Sequence, residues 1–99
     1  MKGYRVEKDV TLYGSSGSIY KFDLKISKGN TEHLVLIKDW KRTVGVNVAI
    51  KLDVAALDIG IYDPIIVSDK FSDHLIAYAR RRGITLLTRD EIIRRLKIG

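Results

Sequence analysis

The sequence predicts an α/β domain, a mixed β-sheet flanked by helices in the order β-β-β-α-β-α-β-α. Three observations predict it. Up to Lys38, apolar or alternating runs are separated by two glycine-containing turns, as in consecutive hairpins. After Lys38 the apolar spacing changes from the period of a strand to that of a helix. Helical runs then alternate with short apolar runs, the pattern of crossover connections onto a sheet.

Tyr4 to Leu12 alternates loosely through Tyr4, Val6, Val10 and Leu12 and reads as a strand. Gly14-Ser15-Ser16-Gly17-Ser18 is a flexible turn. Ile19 to Ile26 is a second strand, with Tyr20, Phe22, Leu24 and Ile26 on one face and Ile19, Lys21, Asp23 and Lys25 on the other. Ser27-Lys28-Gly29-Asn30-Thr31 makes the next turn, because Gly and Asn tolerate positive φ. His33 to Ile37 is almost wholly apolar, as in a central strand buried on both faces.

Val46, Ala49, Ile50, Val54 and Leu57 then recur at helical spacing, and Gly60 supplies a stop. Asp63-Pro64 starts a short buried strand, Ile65-Ile66-Val67. Ser68 to Arg82 reads as a second helix, with Phe71, Leu75, Ile76 and Ala79 inward and Gly83 at its end. Ile84 to Leu87 is the last strand. Thr88-Arg89-Asp90-Glu91 has the form of a capping box and opens a final helix through Leu96.

Ninety-nine residues make a single domain, 1–99, around one core. No apolar run approaches a membrane span, and Met1-Lys2-Gly3-Tyr4-Arg5 lacks a signal-like apolar segment, so a cytoplasmic protein with no membrane partner is expected. Cysteine is absent, which excludes disulfides and thiolate metal sites. His33 and His74 share no ligand-like spacing. Glutamine is also absent while Ile, Lys and Arg are abundant, a bias expected of a thermophile. The net charge of +6 points to a polyanionic partner, most simply nucleic acid. No P-loop follows the early glycines.

Asp23 and Lys38 are the candidate chemical pair. Each closes an apolar strand, where a charge packs poorly. A salt bridge between neighbouring strands is the plain structural alternative. The series from Asp23 through the hairpin to Leu34-Val35-Leu36-Ile37-Lys38 and a helix resembles the PD-(D/E)xK, or restriction-endonuclease-like, nucleases. Lys38-Asp39-Trp40-Lys41-Arg42-Thr43-Val44-Gly45-Val46, Ile65-Ile66-Val67-Ser68-Asp69-Lys70-Phe71-Ser72 with Ala77-Tyr78-Ala79, and Ile84-Thr85-Leu86-Leu87-Thr88 are similar to the Mrr-type branch of that superfamily. The resemblance runs from about Gly14 to Leu96.

It implies a Mg²⁺-dependent DNA endonuclease, or a nuclease subunit working as a homodimer or with a partner in a nuclease complex. By resemblance, Asp23 is the metal carboxylate, Ile37 lends its backbone carbonyl, and Lys38 is the catalytic lysine. Leu36 departs from the pattern, since the family places a second acid there. Asp53 on the following helix is one candidate replacement metal ligand; Asp39 and Glu7 are others. A catalytically inactive relative that binds DNA or serves as a scaffold is the alternative. A small interaction domain for an acidic protein is a third expectation. Lys41 and Arg42 are candidate DNA-phosphate contacts, and Trp40 between them and Lys38 is more a packing residue than a base-stacking one. Arg80-Arg81-Arg82 and Arg94-Arg95 read as solvated helix ends.

Overall fold

The computed structural model describes residues 4–38 and 41–98, with side chains through residue 94. Asp39, Trp40 and the side chain of Arg95 lie outside the described residues. Three strands come first: β1 (Arg5–Tyr13), β2 (Ile19–Lys28) and β3 (Thr31–Ile37). Then follow α1 (Val46–Ile59), β4 (Ile65–Val67), α2 (Asp73–Arg82), β5 (Thr85–Leu87) and α3 (Arg89–Ile98). The expected mixed sheet flanked by helices is the observed one, with spatial order β1-β2-β3-β4-β5. The first three strands are antiparallel, and β3, β4 and β5 are parallel.

Local chemistry sets most boundaries. Gly60 and Gly83 end α1 and α2 in the left-handed region, at φ 88° and 75°, and return their N–H groups to Ala56 and Ala79. Thr88 and Glu91 form the expected capping box: the Thr88 amide donates to Glu91 Oε1 at 2.8 Å, and the Glu91 amide donates to Thr88 Oγ1 at 3.3 Å.

Two apolar layers cover the sheet. Phe22, Leu34 and Ile66 pack with Ala49, Leu52, Ala55 and Ala56 of α1 and with Leu75 and Ala79 of α2. Ile26, Val35, Ile65, Val67 and Leu87 pack with Ile92 of α3. Leu34 and Val35 are both fully buried, one in each layer, so β3 is the central strand the sequence predicts.

Three expectations are corrected. α2 begins at Asp73, not at Ser68. Ser72 is its N-cap, accepting the Leu75 amide at 3.1 Å. The stretch before it is held extended, with the Val44 amide donating to Lys70 O and the Ser72 amide to Val44 O. Next, of the apolar series read at helical spacing in α1 only Ala49 is buried, together with Leu52, Asp53, Ala55 and Ala56, while Ile50, Val54 and Leu57 are exposed. Small alanines let the helix lie close to the sheet. Finally, β2 does not keep one face throughout. Tyr20 and Phe22 join the α1–α2 layer, whereas Leu24 and Ile26 join the α3 layer. Strict alternation would put all four together. The switch falls at Asp23, which is missing from the otherwise continuous pairing of β1 with β2. Its opposite number, Asp9, has φ 51°. That left-handed residue turns the ribbon, so each half packs on a different layer.

Candidate functional site

The switch in β2 positions the candidate site. The β2–β3 ladder is last paired at Leu24 and Val35, so the Ile37 amide lacks a strand partner on that side. Asp23 supplies one: its Oδ2 accepts the Ile37 N–H at 2.6 Å. A charged acceptor at this distance makes a strong bond. The next amide, of Lys38, donates the other way, to Val67 O of β4 at 2.9 Å. Asp23 and the Lys38 backbone are therefore joined through one residue. Both side chains are half-buried, and no ion pair links them among the described residues.

An open cleft of about 360 Å³ lies beside the Asp23 carboxylate, lined by Asp9, Lys21, Phe22, Asp23 and Leu36 among others. Leu36, half-buried, also packs against the α1–α2 layer. Asp9 was not singled out by sequence. Its signal was an acid within an alternating strand, and its left-handed conformation is of the kind found where local strain serves a site. The cleft is thus lined by acids from β1 and β2 together with Lys21, Phe22 and Leu36. No group of three or more His, Cys, Asp or Glu side chains with metal-holding geometry occurs among the described residues.

The other sequence candidates lie elsewhere. Asp53 is buried between helices: its Oδ2 accepts from the Tyr78 hydroxyl at 3.1 Å and from Arg82 Nε at 2.9 Å. It is not among the residues lining the Asp23 cleft. Burial, reinforced by Asp53, pushes the Tyr78 phenol up from its ordinary range, so it stays a donor. Glu7 faces Lys25 across the ribbon at 3.5 Å, and Glu32 meets the same ammonium at 3.3 Å. Burial opposes the Lys25 charge, but Glu32 and Glu7 outweigh it and hold that ammonium above its ordinary range. Lys41 and Arg42 are exposed in the connection from β3 to α1, just past the site. Arg80, Arg81 and Arg82 occupy the last turn of α2.

A second polar cluster fixes the far end of the ribbon. Asp58, near the end of α1, accepts from Ser15 Oγ, Ser16 N, Ser16 Oγ and Tyr20 Oη. The bonds from Ser16 and Tyr20, helped by Ser15, hold its carboxyl at about 2. Gly14 is required there, because a Cβ on it would collide with the Asp58 carboxylate. His33 Nδ1 lies 2.8 Å from Asp63 O, and His74 is exposed on α2. No helix among the described residues is long and apolar enough to cross a membrane.

No family model and no curated protein matches the chain. Among solved structures it is similar to the crystal structure of a protein of unknown function, AF1548, with 22% identity and a TM-score of 0.80. The match covers 95% of this chain and 56% of that one, so this chain spans a little over half of the relative's length. At that identity the likeness establishes a shared fold.

Proposed function

We propose that the chain is a nucleic-acid-binding domain of the PD-(D/E)xK nuclease type, acting as a metal-dependent DNA endonuclease or as its subunit. One observation carries the proposal. The Asp23 carboxylate is docked on the amide of the residue preceding Lys38, beside an open cleft that Asp9, opposite in the register of β1 and β2, also lines. An Asp held in the left-handed region beside a second acid is the kind of local strain found at functional sites.

The donor set suits a hard divalent ion shared with substrate phosphates rather than enclosed by protein, since Mg²⁺ is commonly held by one or two carboxylates plus phosphate oxygens. Asp23 and Asp9 would hold it, with the Ile37 carbonyl as the further oxygen that the family resemblance implies; Asp53 is engaged with Tyr78 and Arg82 instead. When bound, Mg²⁺ polarises the scissile phosphate and lowers the pKa of the attacking water. The bond from Ile37 fixes the Asp23 carboxylate before substrate arrives, so little reorganisation is needed. Lys38 offsets negative charge developing on the phosphoryl oxygens. Lys41 and Arg42, exposed just beyond it, hold the phosphodiester backbone without reading sequence.

Leu36 supports a second proposal, a non-catalytic DNA-binding or scaffold module of the same architecture. It puts a half-buried apolar side chain on the cleft floor where an acid would complete the metal site. Cleavage of supercoiled and branched DNA with Mg²⁺ or Mn²⁺ separates the two. For the nuclease, nicking requires metal and falls about 100-fold or more in Asp23→Ala and in Lys38→Ala. Binding without cutting, unchanged by metal, identifies the module. Affinity should fall steeply with salt in either case, and no affinity at low salt removes both.

A further inference from the structure

α1 leaves one apolar face uncovered. Ile50, Val54 and Leu57 are 40%, 56% and 53% exposed. At about 100° per residue they fall within an arc of roughly 60°, along roughly 10 Å of helix. A helix apolar on both sides normally has both sides covered. The sheet covers only the side carrying Ala49, Leu52, Ala55 and Ala56.

We propose that a second copy of this chain covers that face, with the two α1 helices antiparallel across a two-fold axis at Val54. The charges on the helix choose this occupant. Lys51 and Asp58 border the stripe on the same flank, one near each end. A two-fold axis across the stripe reverses the ends and keeps the flanks together. Each Lys51 then meets the second copy's Asp58, offset by about 1.5 Å along the axis. Ile50 likewise meets the second copy's Leu57, and Val54 meets its own counterpart. Lys51 has no ion-pair partner among the described residues. Asp58 is anchored by Ser15, Ser16 and Tyr20, so its charge is held in place at the rim. Lys51 and Asp58 are of opposite sign, so the charges flanking the stripe favour this pairing locally. Such a self-complementary patch is what an isologous dimer requires.

The contact is small, which puts the dimer in the roughly micromolar range. It does not rest on the nuclease proposal. Sedimentation equilibrium of the full chain, over a wide concentration range, should show monomer and dimer. Val54→Glu, which sets two carboxylates together at the axis, should weaken the dimer about 100-fold while thermal unfolding of the monomer is unchanged. Lys51→Glu should weaken it about tenfold by facing Asp58 with a like charge. The chain has no cysteine, so Val54→Cys gives a clean second readout. Mild oxidation should cross-link it into dimers and leave Ile93→Cys, an exposed position on α3, monomeric. A chain that stays monomeric at about 1 mM, well above the dissociation constant expected, overturns the proposal and assigns the face to a different partner. So does a dimer unaffected by Val54→Glu, or equal cross-linking at both positions.

Discussion

Replacing Asp53 by Ala separates a structural carboxylate from a metal ligand. Asp53 Oδ2 accepts two bonds, from the Tyr78 hydroxyl at 3.1 Å and from Arg82 Nε at 2.9 Å, and so ties α1 to α2. The Tyr78 bond ends on a buried charge and contributes about 1.5–3 kcal/mol. Arg82 is 47% exposed along its side chain, so water screens that pair to about 0.5–1 kcal/mol. Relief from burying the carboxylate offsets part of the sum. The expected net cost of Asp53→Ala is about 1–3 kcal/mol, a fall in Tm of about 4–24 °C for a domain of this length. Urea unfolding of the single variants and of the double variant with Arg82→Ala measures both the total and the coupling. A loss under about 0.5 kcal/mol with no coupling to Arg82 would falsify the structural assignment. So would unchanged stability with Mg²⁺-dependent cleavage abolished.

Three further outcomes follow from the geometry. Hydrogen bonds depress the folded-state Asp58 carboxyl from 3.8 to about 2, so its contribution is full above pH 3.8 and disappears as the pH falls toward 2; the Tm gap between wild type and Asp58→Asn should close across that window, and a gap independent of pH would refute the assignment. Leu34→Ala, at a fully buried position of the central strand, should cost about 2–5 kcal/mol in urea unfolding, and a cost near zero would show that the layer on α1 collapses freely. Ser72→Ala removes the N-cap bond to Leu75 and should cost about 1 kcal/mol, whereas a helix that truly began at Ser68 would not notice the change.

What the sequence made legible was what neighbouring residues decide between themselves. The capping box at Thr88 and Glu91, the glycine stops at 60 and 83, and the hairpin turns are all short-range chemistry, and all stand in the structure. The inward face of α1 was not legible, because Ile50, Val54 and Leu57 make as good a stripe as Ala49, Leu52 and Ala56; only contact with the sheet decides. The start of α2 was obscured because backbone bonds to Val44, distant in sequence, hold the connector extended. At the candidate site, Lys38 was visible as a charge closing an apolar strand, whereas Asp23, read the same way, lies in the middle of β2. Asp9 was not visible, since its backbone turn is set across the ribbon where β2 leaves β3. Asp53 stood out as an acid on a helix, but its partners are 25 and 29 residues away.

β1 forms one margin of the sheet, and its outer side has no neighbouring strand among the described residues. A straight, greasy strand in that place would act as a template on which other molecules could stack into fibres. Here Arg5, Glu7, Lys8 and Asp9 are exposed beside Val6 and Tyr13, and the left-handed Asp9 interrupts the regular pairing in the middle of the strand. The irregularity beside the cleft thus also interrupts the margin along which a further strand would have to align.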